Sequence, residues 1–130
     1  MASIFSKIIA GEIPCYKIAE NEDFLAFLDV FPLKKGHTLV VPKKEVDYVF
    51  DLDHETYLGL MDFSKHVAVA VKQAIPCNRL AVTIFGLEVP HAHVHLIPMN
   101  TMNDVNFTND KLKLSKEEFE QIAAEIRKYI

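Results

Sequence analysis

Residues 89–98 read Val89-Pro-His-Ala-His-Val-His-Leu-Ile-Pro98, with imidazoles at 91, 93 and 95 and apolar side chains at 92, 94 and 96. A period of two, with one face apolar and the other imidazole, marks a strand. It predicts a row of three imidazoles on one face of a sheet. Imidazole titrates near neutrality and serves as nucleophile, base, acid or metal ligand.

Outward from this run, the chain alternates strands and helices. Ser3 can cap a short helix that gathers Ile4, Phe5, Ile8 and Ile9 on one side and stops at Gly11 and Pro14. Tyr16 to Ala19 and Phe24 to Val30 read as strands joined by the polar turn 20–23, and His37 to Val41 as a third strand ended by Pro42. From Asp53 to Ile75, apolar residues recur at three and four, the pattern of a long helix that Pro76 ends. Arg79 to Phe85 reads as a fourth strand and Ala92 to Ile97 as the fifth. Ser115-Lys-Glu-Glu118 is a capping box before a last helix within 115–130, and residues 100–114 read as an irregular crossing segment. The expected fold is α+β: an antiparallel five-stranded sheet with helices on one face, in a single domain spanning 1–130.

At 130 residues, half of them hydrophobic, the chain can build a real core. A net charge of −4 argues against a nucleic-acid polymer as partner, since neutralising phosphates needs a basic footprint. Small phosphates stay open. Cys15 and Cys77 form no close-spaced pair and read as reduced thiols of a cytoplasmic protein. No stretch reaches transmembrane length, so no membrane is expected as partner. His54 and His66 fall on the long helix and read as surface residues.

Geometry narrows the use of the histidine row. Two residues along a strand advance roughly 6.6 Å, so His91 and His95 stand about 13 Å apart at Cα. A metal centred over His93 would lie about 9 Å from the outer two Cα atoms, beyond the roughly 6 to 7 Å that a histidine spans to its metal. A metal could take two of the histidines, with Asp29 or Glu88 as further donor, yet no metal motif is present and no metal or cofactor is expected. Three buried imidazoles held only by backbone would be costly to desolvate. Anion chemistry remains: a middle histidine attacks phosphorus or carbonyl carbon while its neighbours hold its tautomer and bind charged oxygens.

His91-Ala-His93-Val-His95-Leu-Ile97 matches His-φ-His-φ-His-φ-φ, the motif of the histidine triad (HIT) family, and the chain resembles that family in its Hint-like branch. The resemblance extends to Ile4–Pro14, Leu25–Asp29 and Gly36–Lys44, so it covers residues 4 to about 98; the tail beyond is variable in the family. It implies a homodimer whose two sheets join into one, and a hydrolase or transferase cleaving nucleoside 5′-phosphoramidates or related purine nucleotide conjugates. It implies His93 as nucleophile on the α-phosphate, forming a nucleotidyl-histidine. His91 would support that arrangement and His95 would bind phosphate and assist the leaving group. His37 matches the family's fourth histidine. Asp29 matches the acid that holds the ribose hydroxyls, and Ile4, Phe5, Ile8, Phe27 and Val30 match the walls around the base.

The chain also departs from the family. The loop before the triad usually reads Gly-Gln-(Ser, Thr or Glu)-Val-x-His and here reads Gly86-Leu-Glu-Val-Pro-His91, so Leu87 stands in place of a glutamine. Glu88 and Val89 remain nucleotide contacts by the pattern, with the Glu88 backbone N–H mattering more than its carboxylate. The Cys-x-x-Cys zinc variant of some members appears here as Ser3-Ile-Phe-Ser6, so no structural zinc is expected. The Leu87 departure favours the alternative function, a purine-nucleotide-binding regulatory module with little turnover.

Overall fold

The computed structural model describes residues 2–130. The elements in chain order are α1 (Ile4–Ile9), β1 (Lys17–Glu20), β2 (Phe24–Leu28), β3 (Thr38–Pro42), α2 (His54–Ala74), β4 (Arg79–Thr83), β5 (Val94–Met99) and α3 (Lys116–Arg127), with short 3₁₀ turns at Val49–Asp51 and Met102–Val105. The five strands form one sheet in the order β1-β2-β3-β5-β4, and every pairing is antiparallel.

Local chemistry accounts for the helix ends. Ser3 caps α1 through Ser6 N–H, Asp53 caps α2 through Thr56 N–H, and Ser115 with Glu118 closes a reciprocal capping box on α3. α2 ends before Pro76, a residue that cannot continue a helix.

Strands β2 and β3 are buried along their whole length because the sheet is covered on both faces. Phe24, Ala26, Leu28, Val40, Val94 and Leu96 pack against α2 and α3. The alternate residues Leu25, Phe27, Leu39 and Val41 form a second apolar cluster with Phe5, Ile8 and Ile9 of α1. The expectation of helices on one face alone is therefore corrected: α1 lies against the opposite face. A six-residue helix is too short to show a full periodic pattern, so its side cannot be read from spacing.

The histidine strand also differs from expectation. β5 begins at Val94, so of the triad His95 alone lies in the ladder. The last β3–β5 partners are Val40 and Val94. Beyond them β3 reaches Pro42, which has no N–H to give. The Pro42 carbonyl accepts instead from the His91 ring at 2.7 Å, and Ala92 N–H goes to Val46 O at 2.7 Å. The chain through His91 and His93 thus leaves the sheet and crosses the turn that follows β3.

Gly36 sits immediately before His37 with φ +90, and a Cβ there would stand 2.9 Å from Ile75 Cγ1. Gly11 has a similar φ of +81 but nothing within 4 Å of the same position. Gly11→Ala is predicted to lose about 1 kcal/mol from backbone strain. Gly36→Ala should lose about 1 to 3 kcal/mol more, from overpacking. Urea denaturation of the two variants checks this; equal losses would mean that packing against Ile75 does not matter.

Candidate active site

The sheet's register builds the floor of the site. Phe27 pairs with Leu39, Leu39 with His95, and His95 with Thr83, so these four residues share one row and one face, the face turned away from α2. A cavity of about 500 Å³ lies over this row. It is lined by His93 and His95, by Asp29 and Glu88, and by the apolar Ile4, Phe5, Ile8, Phe27, Val30 and Val89. All of the residues expected around a base, a ribose and a phosphate therefore meet in one cavity. His37 and His91 do not line it; each stands behind a histidine that does.

Hydrogen bonds from the backbone decide which nitrogen of each imidazole carries its hydrogen, since a neutral ring offers one donor and one acceptor. His93 Nδ1 lies 2.7 Å from the His91 carbonyl oxygen. A carbonyl only accepts, so His93 holds its hydrogen at Nδ1 and a lone pair at Nε2. His37 Nδ1 accepts the Leu33 N–H at 3.0 Å, so its hydrogen is at Nε2, where it donates to His95 Nδ1 at 3.0 Å. His95 Nδ1 is then an acceptor, and its hydrogen is at Nε2. Among the described residues, nothing else engages Nε2 of His93 or of His95. The result is two imidazoles with ring centres 5.0 Å apart, one offering a lone pair and the other an N–H.

Burial keeps the relay neutral. Desolvation pushes His37 down to about 4, with the Lys111 charge adding to it. His95 is pushed down to about 3, mainly by burial and further by His37 and His93, while Asp29 opposes the shift. His91 is also lowered by burial, against the pull of the Pro42 carbonyl and the Glu45 charge. Asp29 turns one oxygen to Phe31 N–H at 2.9 Å and holds the other 3.5 Å from His37 Nε2.

Asp29, His37 and His95 bring one donor atom each within 4.8 Å of one another, a spacing that suits a metal. The tautomers do not. Leu33 N–H occupies the His37 Nδ1 lone pair, so a metal at Nε2 would have to displace the hydrogen and leave an imidazolate. As neutral rings, His37 and His95 work as a hydrogen-bond relay, with an Asp29 oxygen 3.5 Å from His37 Nε2. The members of the trio also differ from the metal set weighed from sequence, which took two histidines of the triad.

Rings line the site in a continuous row. Phe27 lies 5.7 Å from Phe5, Phe5 4.9 Å from His93, His93 5.0 Å from His95, His95 5.1 Å from Phe107, and Phe107 4.9 Å from Phe85. Phe107 comes from the irregular segment 100–114, which carries no periodic signal, and sequence reasoning missed it. Leu112 N–H on Pro32 O at 2.8 Å ties that segment to the turn before His37. Lys111 Nζ is held by the carbonyls of Phe107 and Asn109 at 2.6 and 3.0 Å. Leu87 also lines the cavity but is 94% exposed, an apolar side chain at the rim.

Comparison with known proteins agrees with this geometry. The model of the HIT domain matches residues 10–102. An uncharacterized HIT-like protein of Borreliella burgdorferi is 34% identical over 131 residues, covering 95% of this chain and 94% of that one. The adenosine 5′-monophosphoramidase hnt1 of Schizosaccharomyces pombe is 37% identical over 102 residues, covering 75% of this chain and 74% of its own. The crystal structure of a HIT-like protein from Bartonella henselae superposes with a TM-score of 0.85 at 32% identity, covering 98% of this chain and 96% of that one. With the domain matched over residues 10–102 and a relative 34% identical over nearly the whole chain, the chain belongs to the HIT, or histidine triad, family.

Proposed function

We propose that the protein is a purine nucleoside phosphoramidase, cleaving nucleoside 5′-phosphoramidates or related nucleotide conjugates through a nucleotidyl-histidine on His93. The observation that carries this reading is the His93 tautomer: Nδ1–H is given to the His91 carbonyl, leaving the Nε2 lone pair at the cavity. A neutral imidazole with its other nitrogen held is the form that attacks phosphorus. The phosphoramidase name of the Schizosaccharomyces pombe relative supports the substrate class.

In the first step the His93 Nε2–P bond forms and the P–N bond of the substrate breaks. The departing nitrogen keeps the electron pair and takes up a proton from solvent, which the attacking water of the second step returns. In the second step water oxygen bonds phosphorus, Nε2 recovers its lone pair, and water releases the proton, so one water is added overall. His95 Nε2–H gives a hydrogen bond to phosphate oxygen and leaving nitrogen and keeps its proton, and His37, beside Asp29, holds it in that form. Asp29 accepts the two ribose hydroxyls, a pairing suited to a carboxylate. Phe5, Phe27, Ile4, Ile8 and Val30 take the base, and Glu88 and Val89, which line the same cavity, take the phosphate.

A homodimer joined edge to edge fits the sheet. At one edge, β1 has a register shift, carries Lys17 and Glu20, and has its Lys17 carbonyl taken by Arg127. Such features block pairing. The other edge, β4, is regular and leaves Val82 half exposed. A cytoplasmic location is supported by Cys15 and Cys77 remaining unpaired. No helix among the described residues is long and apolar enough to cross a membrane.

Rapid mixing with adenosine 5′-phosphoramidate, quenching and intact-mass measurement should show an AMP adduct. His93→Ala should abolish it and lower turnover by more than about 10³-fold. The regulatory-module alternative draws on Leu87, which offers no hydrogen bond at the rim, and predicts saturable AMP binding with no adduct and no turnover. Turnover that survives in His93→Ala would exclude the mechanism.

The neutral relay also predicts how stability depends on pH. An unfolded histidine takes its proton near about 6.5. His37 and His95 do so in the folded protein only near 4 and 3, so between these values the unfolded chain binds more protons. Stability should be full above about pH 6.5 and fall as pH drops towards 4. The lowered carboxylates Glu20, Glu45 and Asp53, each held near 2, begin to lose their share only as pH falls into the ordinary carboxylate range below about 5, so the upper part of this window belongs to imidazole. Urea midpoints measured across the range check this, and a His37→Asn, His95→Asn double variant should flatten the curve.

A further inference from the structure

The serine that begins α1 also reaches the catalytic histidines. Ser3 Oγ accepts Ser6 N–H at 3.0 Å and stands 2.7 Å from His91 Nδ1. Because His91 Nε2–H is given to the Pro42 carbonyl at 2.7 Å, His91 Nδ1 bears a lone pair, and the Ser3 hydroxyl is its donor. Ser3 is in turn seated by Glu45, whose Oε1 accepts Ser3 N–H at 2.6 Å and the Ser6 hydroxyl at 2.7 Å. These two bonds, the backbone one first, hold Glu45 down to about 2, so it is a carboxylate throughout the neutral range. The His91 ring, fully buried, is gripped at both nitrogens. Its own carbonyl is the acceptor for His93 Nδ1–H at 2.7 Å.

We infer that Ser3, seated by Glu45, is a positioning residue for the reaction. Its hydroxyl holds the His91 ring, the ring holds the His91 carbonyl, and the carbonyl keeps His93 in the Nδ1–H form. None of Ser3, Glu45 and His91 lines the cavity, so none of them acts by touching substrate. The same serine starts the helix that carries Phe5, whose ring lies 4.9 Å from His93. One residue therefore sets both a wall of the pocket and the lone pair of the nucleophile. The catalytic part of this inference rests on His93 as nucleophile.

Ser3→Gly is the discriminating variant, because glycine caps a helix nearly as well as serine but has no hydroxyl. Imidazole ¹⁵N NMR of the free protein reads the His93 tautomer, and single-turnover kinetics with adenosine 5′-phosphoramidate reads the first step. In Ser3→Gly, His93 should pass to a mixture containing the Nε2–H form. The first-step rate should fall about tenfold or more, as for a reacting group slightly misplaced, while KM changes less than about threefold. Glu45→Ala should do the same more weakly, and Ser3→Thr, which restores the hydroxyl, should recover both readouts. A Ser3→Gly protein with His93 still held as Nδ1–H and its rate within about twofold of the parent would overturn the inference, as would a Ser3→Thr protein no better than Ser3→Gly. If the parent protein turned over no phosphoramidate, the phosphoramidase reading would fall. The His93 tautomer in the free variants would still decide whether Ser3 positions it.

Discussion

The hydrogen bond from His93 Nδ1–H to the His91 carbonyl, 2.7 Å long, decides what the histidine row can do. A neutral imidazole presents either a lone pair or a hydrogen at a given nitrogen, and the protein must choose. With the opposite choice His93 would point an N–H at the cavity and could not attack. One position along the row the choice is reversed. Leu33 N–H acts through His37 so that His95 presents its hydrogen. Two copies of one side chain, 5.0 Å apart, acquire opposite roles from groups behind them.

The sheet makes this arrangement possible. Alternation along β2 and β3 sends one set of apolar side chains under α2 and α3 and the other under α1. The second set becomes the floor on which His95 stands beside Leu39 and Phe27. Because the floor is apolar and covered, His37 and His95 are desolvated and remain neutral, as donor and acceptor roles require. Pro42 ends the β3 ladder and offers its carbonyl to His91. The backbone around His93 thereby leaves the sheet and is held by Ala92 N–H on the Val46 carbonyl and by the His91 ring on the Pro42 carbonyl.

Much of this was legible in the sequence. The five strands, the long helix and the capping-box helix follow from periodicity and end signals, and the apolar residues assigned to the pocket by resemblance do line it. What was not legible depends on three-dimensional partners. Period-two spacing at 91, 93 and 95 implies one continuous strand, yet a missing N–H at Pro42, about fifty positions away, ends the pairing at Val94. The role of Ser3 is likewise set by a contact with His91, far along the chain. Phe107 lies in a segment with no pattern at all, which packs it against His95 and is tied down further along by the bond between Leu112 and Pro32. The proposed roles of Asp29 and His37 were read from resemblance; the geometry adds that His37 stands behind His95 with an oxygen of the cavity-lining Asp29 3.5 Å from its Nε2.

The most direct test of this account is the tautomeric state of the four site histidines, read by imidazole ¹⁵N NMR in the free protein near neutral pH. The account predicts His93 as the Nδ1–H form and His37, His91 and His95 as neutral Nε2–H forms. His93 found as Nε2–H, or His95 found as Nδ1–H, would contradict it.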